Sequence, residues 1–283
     1  MSNILWGVLP IYWHALRPID SMVIIFYRVL LCAVSSWILA RSRYSKEELY
    51  APFKDKKLLL KFFLAGVLIT VNWSVYIWAV NADQVIATSV GYYIEPVVVC
   101  LFGMLFFGDR LNKYKGLALA FAAAGIAVIV LYYRRLPAVS LLLALSFSVY
   151  GAAKKGLSQP PILSLFYETV FLAPVALGVI AVYEYRGQGA IAASADAPWK
   201  LALLLFAGIL TATPLMLFAE CTNKAGLFAA GLVGYVSPSI SLILSIWLFG
   251  EPFELVQFIA FAIIWTGLAF FTYGELKDMK KSG

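Results

Sequence analysis

The chain is poor in charge. Of its 283 residues only 13% are Asp, Glu, Lys or Arg and 63% are hydrophobic, where a water-soluble domain carries about 25% charged residues. No soluble core of this size hides that much apolar surface. Histidine is nearly absent, with His14 the only one. That excludes an HExxH metal site, and a metal centre of any kind has little support. The three cysteines, Cys32, Cys100 and Cys221, lie inside apolar runs, form no CxxC pair and read as small core hydrophobes. No GxxxxGK[ST] phosphate loop is present, which argues against ATP hydrolysis by the chain itself. A basic n-region and a small-residue cleavage site are missing from the first apolar run, so it does not read as a signal peptide.

What the chain has in quantity is apolar runs of about 20 residues, the length a helix needs to cross roughly 30 Å of hydrocarbon. They are continuous rather than alternating, which excludes a spanning β-barrel. The expected fold is therefore all-α and integral to a membrane, with spans near 3–16, 21–40, 58–81, 85–107, 113–132, 137–154, 161–183, 199–221, 227–249 and 254–273. The first span is short: either this helix is unusually short or, the favoured expectation, the native chain begins upstream of Met1. The net charge of +7 fits basic cytoplasmic loops rather than nucleic-acid binding. Of 22 Lys and Arg residues, sixteen fall in one set of alternate loops and termini, with Lys154 and Lys155 among them. Five (Arg17, Arg134, Arg135, Arg186 and Lys200) fall in the other set, and Arg28 lies inside a span. Both termini are accordingly expected in the cytoplasm.

The chain also repeats itself. Gly66, Pro96, Gly108 and Gly125 recur 142 residues later as Gly208, Pro238, Gly250 and Gly267, and Asp109 recurs as Glu251. Phe26-Tyr27-Arg28 matches Phe166-Tyr167-Glu168 at an offset of 140. This divides the chain into five-helix halves, 1–134 and 135–283. An odd number of helices per copy forces opposite orientations, and inverted repeats of this kind form transporters with a site near the midplane.

The strings LWGVLPIYW (5–13), NWSVYIWAVN (72–81), GYYIEP (91–96), LFFGDRL (105–111), ALSFSVYG (144–151), YVSPS (235–239) and LFGEPF (248–253) touch most spans. In order and spacing they resemble the drug/metabolite transporter superfamily with two EamA-type repeats, specifically its RarD branch. The resemblance implies transport of a small organic metabolite or drug-like solute across the bacterial cytoplasmic membrane. The chain departs from the family pattern at Glu95, where Asn usually precedes the proline, and at Glu220.

Charges inside a membrane are expensive and usually face a cavity or a partner. Arg28 and Glu168 occupy matching repeat positions, each some eight residues into a span. An axial offset of roughly 6 Å then separates them, which an arginine can reach across. They are expected to pair, either structurally or as a gate broken by substrate or proton. Glu95, beside Pro96, is a candidate proton or cation carrier, or else solvated at a mouth. Asn72, Trp73 and Tyr76 share one helical face. Together with Trp6, Tyr92, Tyr150 and Tyr235 they are candidates to line an apolar cavity with hydrogen-bonding tips, although Trp and Tyr also gather at interfaces. Pro96, Pro214 and Pro238 are candidate helix breaks or hinges, with packing kinks the alternative. Asp109 and Glu251 read as loop or helix-start residues, Glu220 and Lys224 as an interfacial pair, and His14 as interfacial. The small face Gly116, Ala120, Ala124 and Gly125 suits helix packing within one monomer or between two. A secondary transporter without cofactors is the leading expectation. A passive channel or lipid-handling protein comes next, and a membrane-embedded enzyme last.

Overall fold

A computed structural model of the chain describes residues 1–107, 113–154, 157, 159–217 and 234–282. Glu220, Lys224, Asp109, Gly108, Lys155 and Cys221, and the side chain of Cys100, lie outside the described residues. Every described element is a helix or a helical turn. In chain order the helices are α1 (Ser2–Ala15), α2 (Ser21–Arg43), α3 (Lys46–Tyr50), α4 (Lys56–Asn81), α5 (Val85–Phe107), α6 (Lys113–Tyr133) and α7 (Ala138–Lys154). There follow α8 (Pro161–Val170), α9 (Ala173–Tyr185), α10 (Ala190–Ala193), α11 (Trp199–Leu217, with one turn residue at Phe206), α12 (Val236–Trp247) and α13 (Leu255–Ser282).

Local chemistry sets several of the helix starts. Asp20 accepts from the Met22 N–H at 2.8 Å, and Asp55 accepts from the N–H groups of Lys57 and Leu58. Each satisfies donors that the first helical turn leaves unpaired. Ser45 and Glu48 close a capping box on α3. Five helices, α2, α4, α6, α11 and α13, are long and apolar enough to cross a membrane, and α8 with α9 make a sixth span bent by 54°. The shorter apolar helices α7 and α12 and the apolar length of α5, together with the 14-residue α1, occupy the remaining expected segments as far as these are described. The outside of the bundle stays apolar, with Leu131, Val175 and Leu255 each more than half exposed, as contact with lipid requires.

Two of the three proline expectations need correcting. Helix α5 runs unbroken through Pro96 and α11 through Pro214, whereas just before Pro238 a turn residue, Tyr235, separates the helical Gly234 from α12. A bend also falls between α8 and α9. There Pro174, at the start of α9, cannot donate to the Val170 carbonyl one turn back.

Repeat-equivalent contacts hold the halves together. A Cβ at Gly66 would strike the backbone carbonyl of Glu168 on α8, and one at Gly208 would strike the backbone carbonyl of Leu31 on α2. Gly125 lies against Ala260 and Ile264 of α13, and Gly267 against Ala118 and Phe121 of α6. The matched glycines thus mark matched close approaches. Gly125 is used within the monomer, whereas Ala120 and Ala124 face outward. Helix α5 packs on α7 as α1 packs on α12, again an equivalent pair. Tyr93 and Tyr235, 142 residues apart, stack at 6.4 Å, and Tyr93 Oη shares a hydrogen bond with Ser239 Oγ.

Candidate functional site

Between the halves lies a cavity of about 710 Å³, within the range of small-molecule sites. Helices α1, α2, α4, α5, α7, α8, α11 and α12 all contribute to its wall. The structure brings the eight cavity candidates to this one wall: Trp6, Asn72, Trp73, Tyr76, Tyr92, Glu95, Tyr150 and Tyr235. Arg28, Glu168, Pro96 and Pro238 join them, and Pro214 does not.

Arg28 and Glu168 do not pair, which corrects the expected ion pair. The Arg28 guanidinium, 5% exposed, is sandwiched between the rings of Trp73 (4.1 Å to the centroid) and Trp13 (4.9 Å). Its Nε donates to Thr211 Oγ1 at 3.0 Å, and its Nη1 is buried with no hydrogen-bond partner. Glu168, 1% exposed, is instead held by Lys154 at 2.9 Å, by Ser164 Oγ at 2.7 Å and by the Tyr150 hydroxyl at 2.9 Å. Equal depth in the membrane does not bring two side chains to one azimuth of the bundle. Lys154, counted above as a loop charge, reaches back into the cavity from the end of α7. Its neighbour Tyr150, one helical turn earlier, was the available signal.

Asn72 donates through Nδ2 to the Leu143 carbonyl (3.1 Å) and to Ser146 Oγ (2.9 Å), so its amide also ties α4 to α7. Tyr76 meets Tyr92 edge-on at 5.8 Å. Glu95 is half-buried on the wall of α5, one turn from Tyr92. Among the described residues it has no basic partner, and Arg28 has no acidic one. The lining also includes Asn3, Ile69, Gln159, Thr211 and Ser237, which hydropathy alone does not distinguish from packing residues.

The cavity has two unlike ends. One reaches the first turns of α1, α8 and α12 and the last turn of α7, where Asn3, Pro161, Ser237 and Lys154 line it. At the other end none of the tying groups lines the cavity. Arg17 binds Asp83 at 2.8 Å and donates to the carbonyls of Val80 and Asn81. Lys200 donates to the Arg17 carbonyl, and the Tyr12 hydroxyl to that of Leu203 at 2.8 Å. His14 lies 3.7 Å from Asp83 and stacks on Phe249 at 4.7 Å, at the helix end expected for it. Asp83 takes a left-handed φ of 54° to close α4, a conformation that Asp tolerates better than most residues.

Glu251 lies in the loop before α13 and accepts from the N–H groups of Val85 (2.5 Å) and Ile86 (2.9 Å), so it caps the start of α5, a helix of the other half. Burial pushes its carboxyl above the usual carboxylate range, while the two N–H donors pull it back. Among the described residues no group of three His, Cys, Asp or Glu is arranged to hold a metal.

Comparison with known proteins adds the lineage. The profile of the EamA-like transporter family matches residues 1–131 and again residues 137–273. The chain belongs to the EamA-like transporter family. It is 36% identical to the uncharacterized transporter YojE of Bacillus subtilis (strain 168), covering 100% of this chain and 94% of that one. It is 34% identical to the protein RarD of Streptomyces exfoliatus, over 98% of this chain and 88% of that one. A solved crystal structure superposes with a TM-score of 0.62 at 16% identity, over 95% of this chain and 94% of the other, a likeness of fold alone. Two EamA matches in tandem fit the two sets of five helical segments. The EamA protein is thus a multi-pass membrane protein of the RarD branch, in contact with lipid, and its relatives are named as transporters rather than enzymes.

Proposed function

We propose that this EamA protein is a secondary transporter that carries a small organic solute through the cavity by alternating access in a bacterial inner membrane. The observation that carries the reading is the cavity itself. It lies between two inverted repeats, is tied shut at the Arg17–Asp83 end, and reaches the helix ends at the opposite side. With both termini in the cytoplasm, as the distribution of Lys and Arg favours, this form faces inward. The drive is a proton or an exchanged solute. Glu95, a carboxylate on the cavity wall without a basic partner among the described residues, is the proposed proton carrier.

The test is solute counterflow into proteoliposomes loaded with a panel of unlabelled organic acids, amines and neutral aromatics. Saturable, trans-stimulated uptake is expected, with Glu95→Gln abolishing accumulation driven by a pH gradient while leaving exchange intact. Uptake that never saturates and is indifferent to trans solute overturns alternating access in favour of a channel. Gradient-driven accumulation that survives Glu95→Gln removes Glu95 from coupling.

A further inference from the structure

We propose that the cavity is an anion site, with Arg28 binding the carboxylate of a solute whose body is aromatic or apolar; this rests on the cavity being the solute site. Arg28 is the cavity's unsatisfied cation. Its side chain is 95% buried, it lines the cavity, and its Nη1 has no hydrogen-bond partner. Taking a guanidinium out of water costs several kcal/mol unless an anion or a full set of acceptors replaces the water. Trp13 and Trp73 cover its faces and Thr211 takes only the Nε proton. Two flanking rings offset part of that cost, but they cannot accept the in-plane Nη protons. A planar oxyanion can, in the two-point geometry that arginine and carboxylate share.

The rest of the wall limits the solute further. Lys154 is committed to Glu168 at 2.9 Å, so among the described residues of the lining one basic group, Arg28, is left for the solute. Glu95 stands on the same wall and, among the described residues, has no basic partner, so it brings no positive charge to the solute. A monoanion matches this set, and a phosphate dianion would leave a charge uncompensated in a poorly hydrated space. The Trp73, Tyr76 and Tyr92 rings beside the arginine supply an apolar bed for the remainder of the solute.

The experiment compares matched probes on the purified full chain in detergent: 3-phenylpropionate, its amide, phenyl phosphate and phenethylamine, each titrated against the apparent Tm. The carboxylate is expected to raise Tm with a Kd at least tenfold below that of the other three. Arg28→Met is expected to abolish the response while leaving Tm without ligand equal or higher, since an unpaired buried cation has been removed. Arg28→Lys keeps the charge without the fork and should retain a weakened preference for the carboxylate. Carboxylate and amide binding alike, or carboxylate binding that survives Arg28→Met, overturns the anion assignment and leaves the cavity a solute site. Stronger binding of phenyl phosphate or of the amine overturns it as well. No stabilisation by any probe, together with no counterflow of the wider panel, overturns the solute site too.

Discussion

Glu168 and Lys154 form the one ion pair of the cavity wall among the described residues, and their unequal burial sets an order of mutational effects. Their side chains are 2% and 29% exposed, and Lys154 Nζ lies 2.9 Å from Glu168 Oε1. At an effective dielectric of about 20 the gross attraction at that distance is roughly 6 kcal/mol, most of it offset by desolvation. Removing the lysine strands the carboxylate, which keeps only the Ser164 and Tyr150 hydroxyls. Lys154→Met should therefore cost about 3 kcal/mol, the lower end of the range for breaking a buried pair. Removing the acid strands an ammonium that still reaches the cavity and the Tyr150 hydroxyl at 3.0 Å, so Glu168→Gln should cost roughly 1–2 kcal/mol. The double variant should lose no more than about 2 kcal/mol, a coupling of about 2 kcal/mol. The assay is reversible unfolding in mixed detergent–SDS micelles for all four proteins. Additivity within about 0.5 kcal/mol, or Glu168→Gln exceeding Lys154→Met, would refute the pairing and the burial argument together.

Other perturbations probe the frame. Gly66→Ala and Gly208→Ala each push a methyl into a neighbouring helix backbone and should each lower stability by about 1–3 kcal/mol in the same micelle assay. Gly178→Ala in α9 meets nothing within 4 Å and should be neutral or stabilising by up to about 1 kcal/mol. Glu251→Ala strips both acceptors from the start of α5 and should lower Tm by the equivalent of about 1–2 kcal/mol. Because burial holds the Glu251 carboxyl above its unfolded value, its protonated form is favoured in the fold. Its contribution is then full at acid pH and declines as pH rises through the raised value, so Glu251→Gln should flatten that part of the Tm–pH profile. Asp83→Asn weakens the Arg17 tie and should raise thiol labelling of a cysteine placed at Tyr76 from the α4–α5 side; unchanged labelling would remove that tie from closure.

Sequence and structure agree where a single physical rule dominates. Hydrocarbon thickness fixes run length, so helix positions such as Lys56–Asn81 were legible to within a few residues. Cavity residues were legible because Asn72, Arg28 and Glu95 are polar groups in apolar runs. Partner choice was not legible. Depth along a span follows from counting residues, but azimuth follows from how helices pack, and it is azimuth that gives Glu168 to Lys154 and Arg28 to two tryptophans. The bend was missed for a related reason. A proline removes one hydrogen bond, which α5 and α11 absorb at Pro96 and Pro214, whereas at Pro174 the chain also breaks at Phe171 and Leu172.

The matched positions divide into two kinds. Glycines repeat in identity and in contact: Gly66 touches α8 as Gly208 touches α2, and Gly125 and Gly267 lie on each other's helices. Apart from the matched prolines Pro96 and Pro238, the polar cavity residues repeat in position but not in chemistry. Glu95 corresponds to Ser237, Asn72 to Pro214, and Arg28, at its own offset, to Glu168. Close backbone contacts tolerate only one residue type, so they preserve the symmetry that lets the two halves exchange roles. A single solute, by contrast, has different groups at its two ends and needs unlike walls to hold it in one orientation. The asymmetry is therefore concentrated where the solute would sit. Restoring symmetry there, as Glu95→Ser would, should leave the fold and its Tm nearly unchanged while altering transport. A large loss of stability in that variant would assign Glu95 to the frame instead.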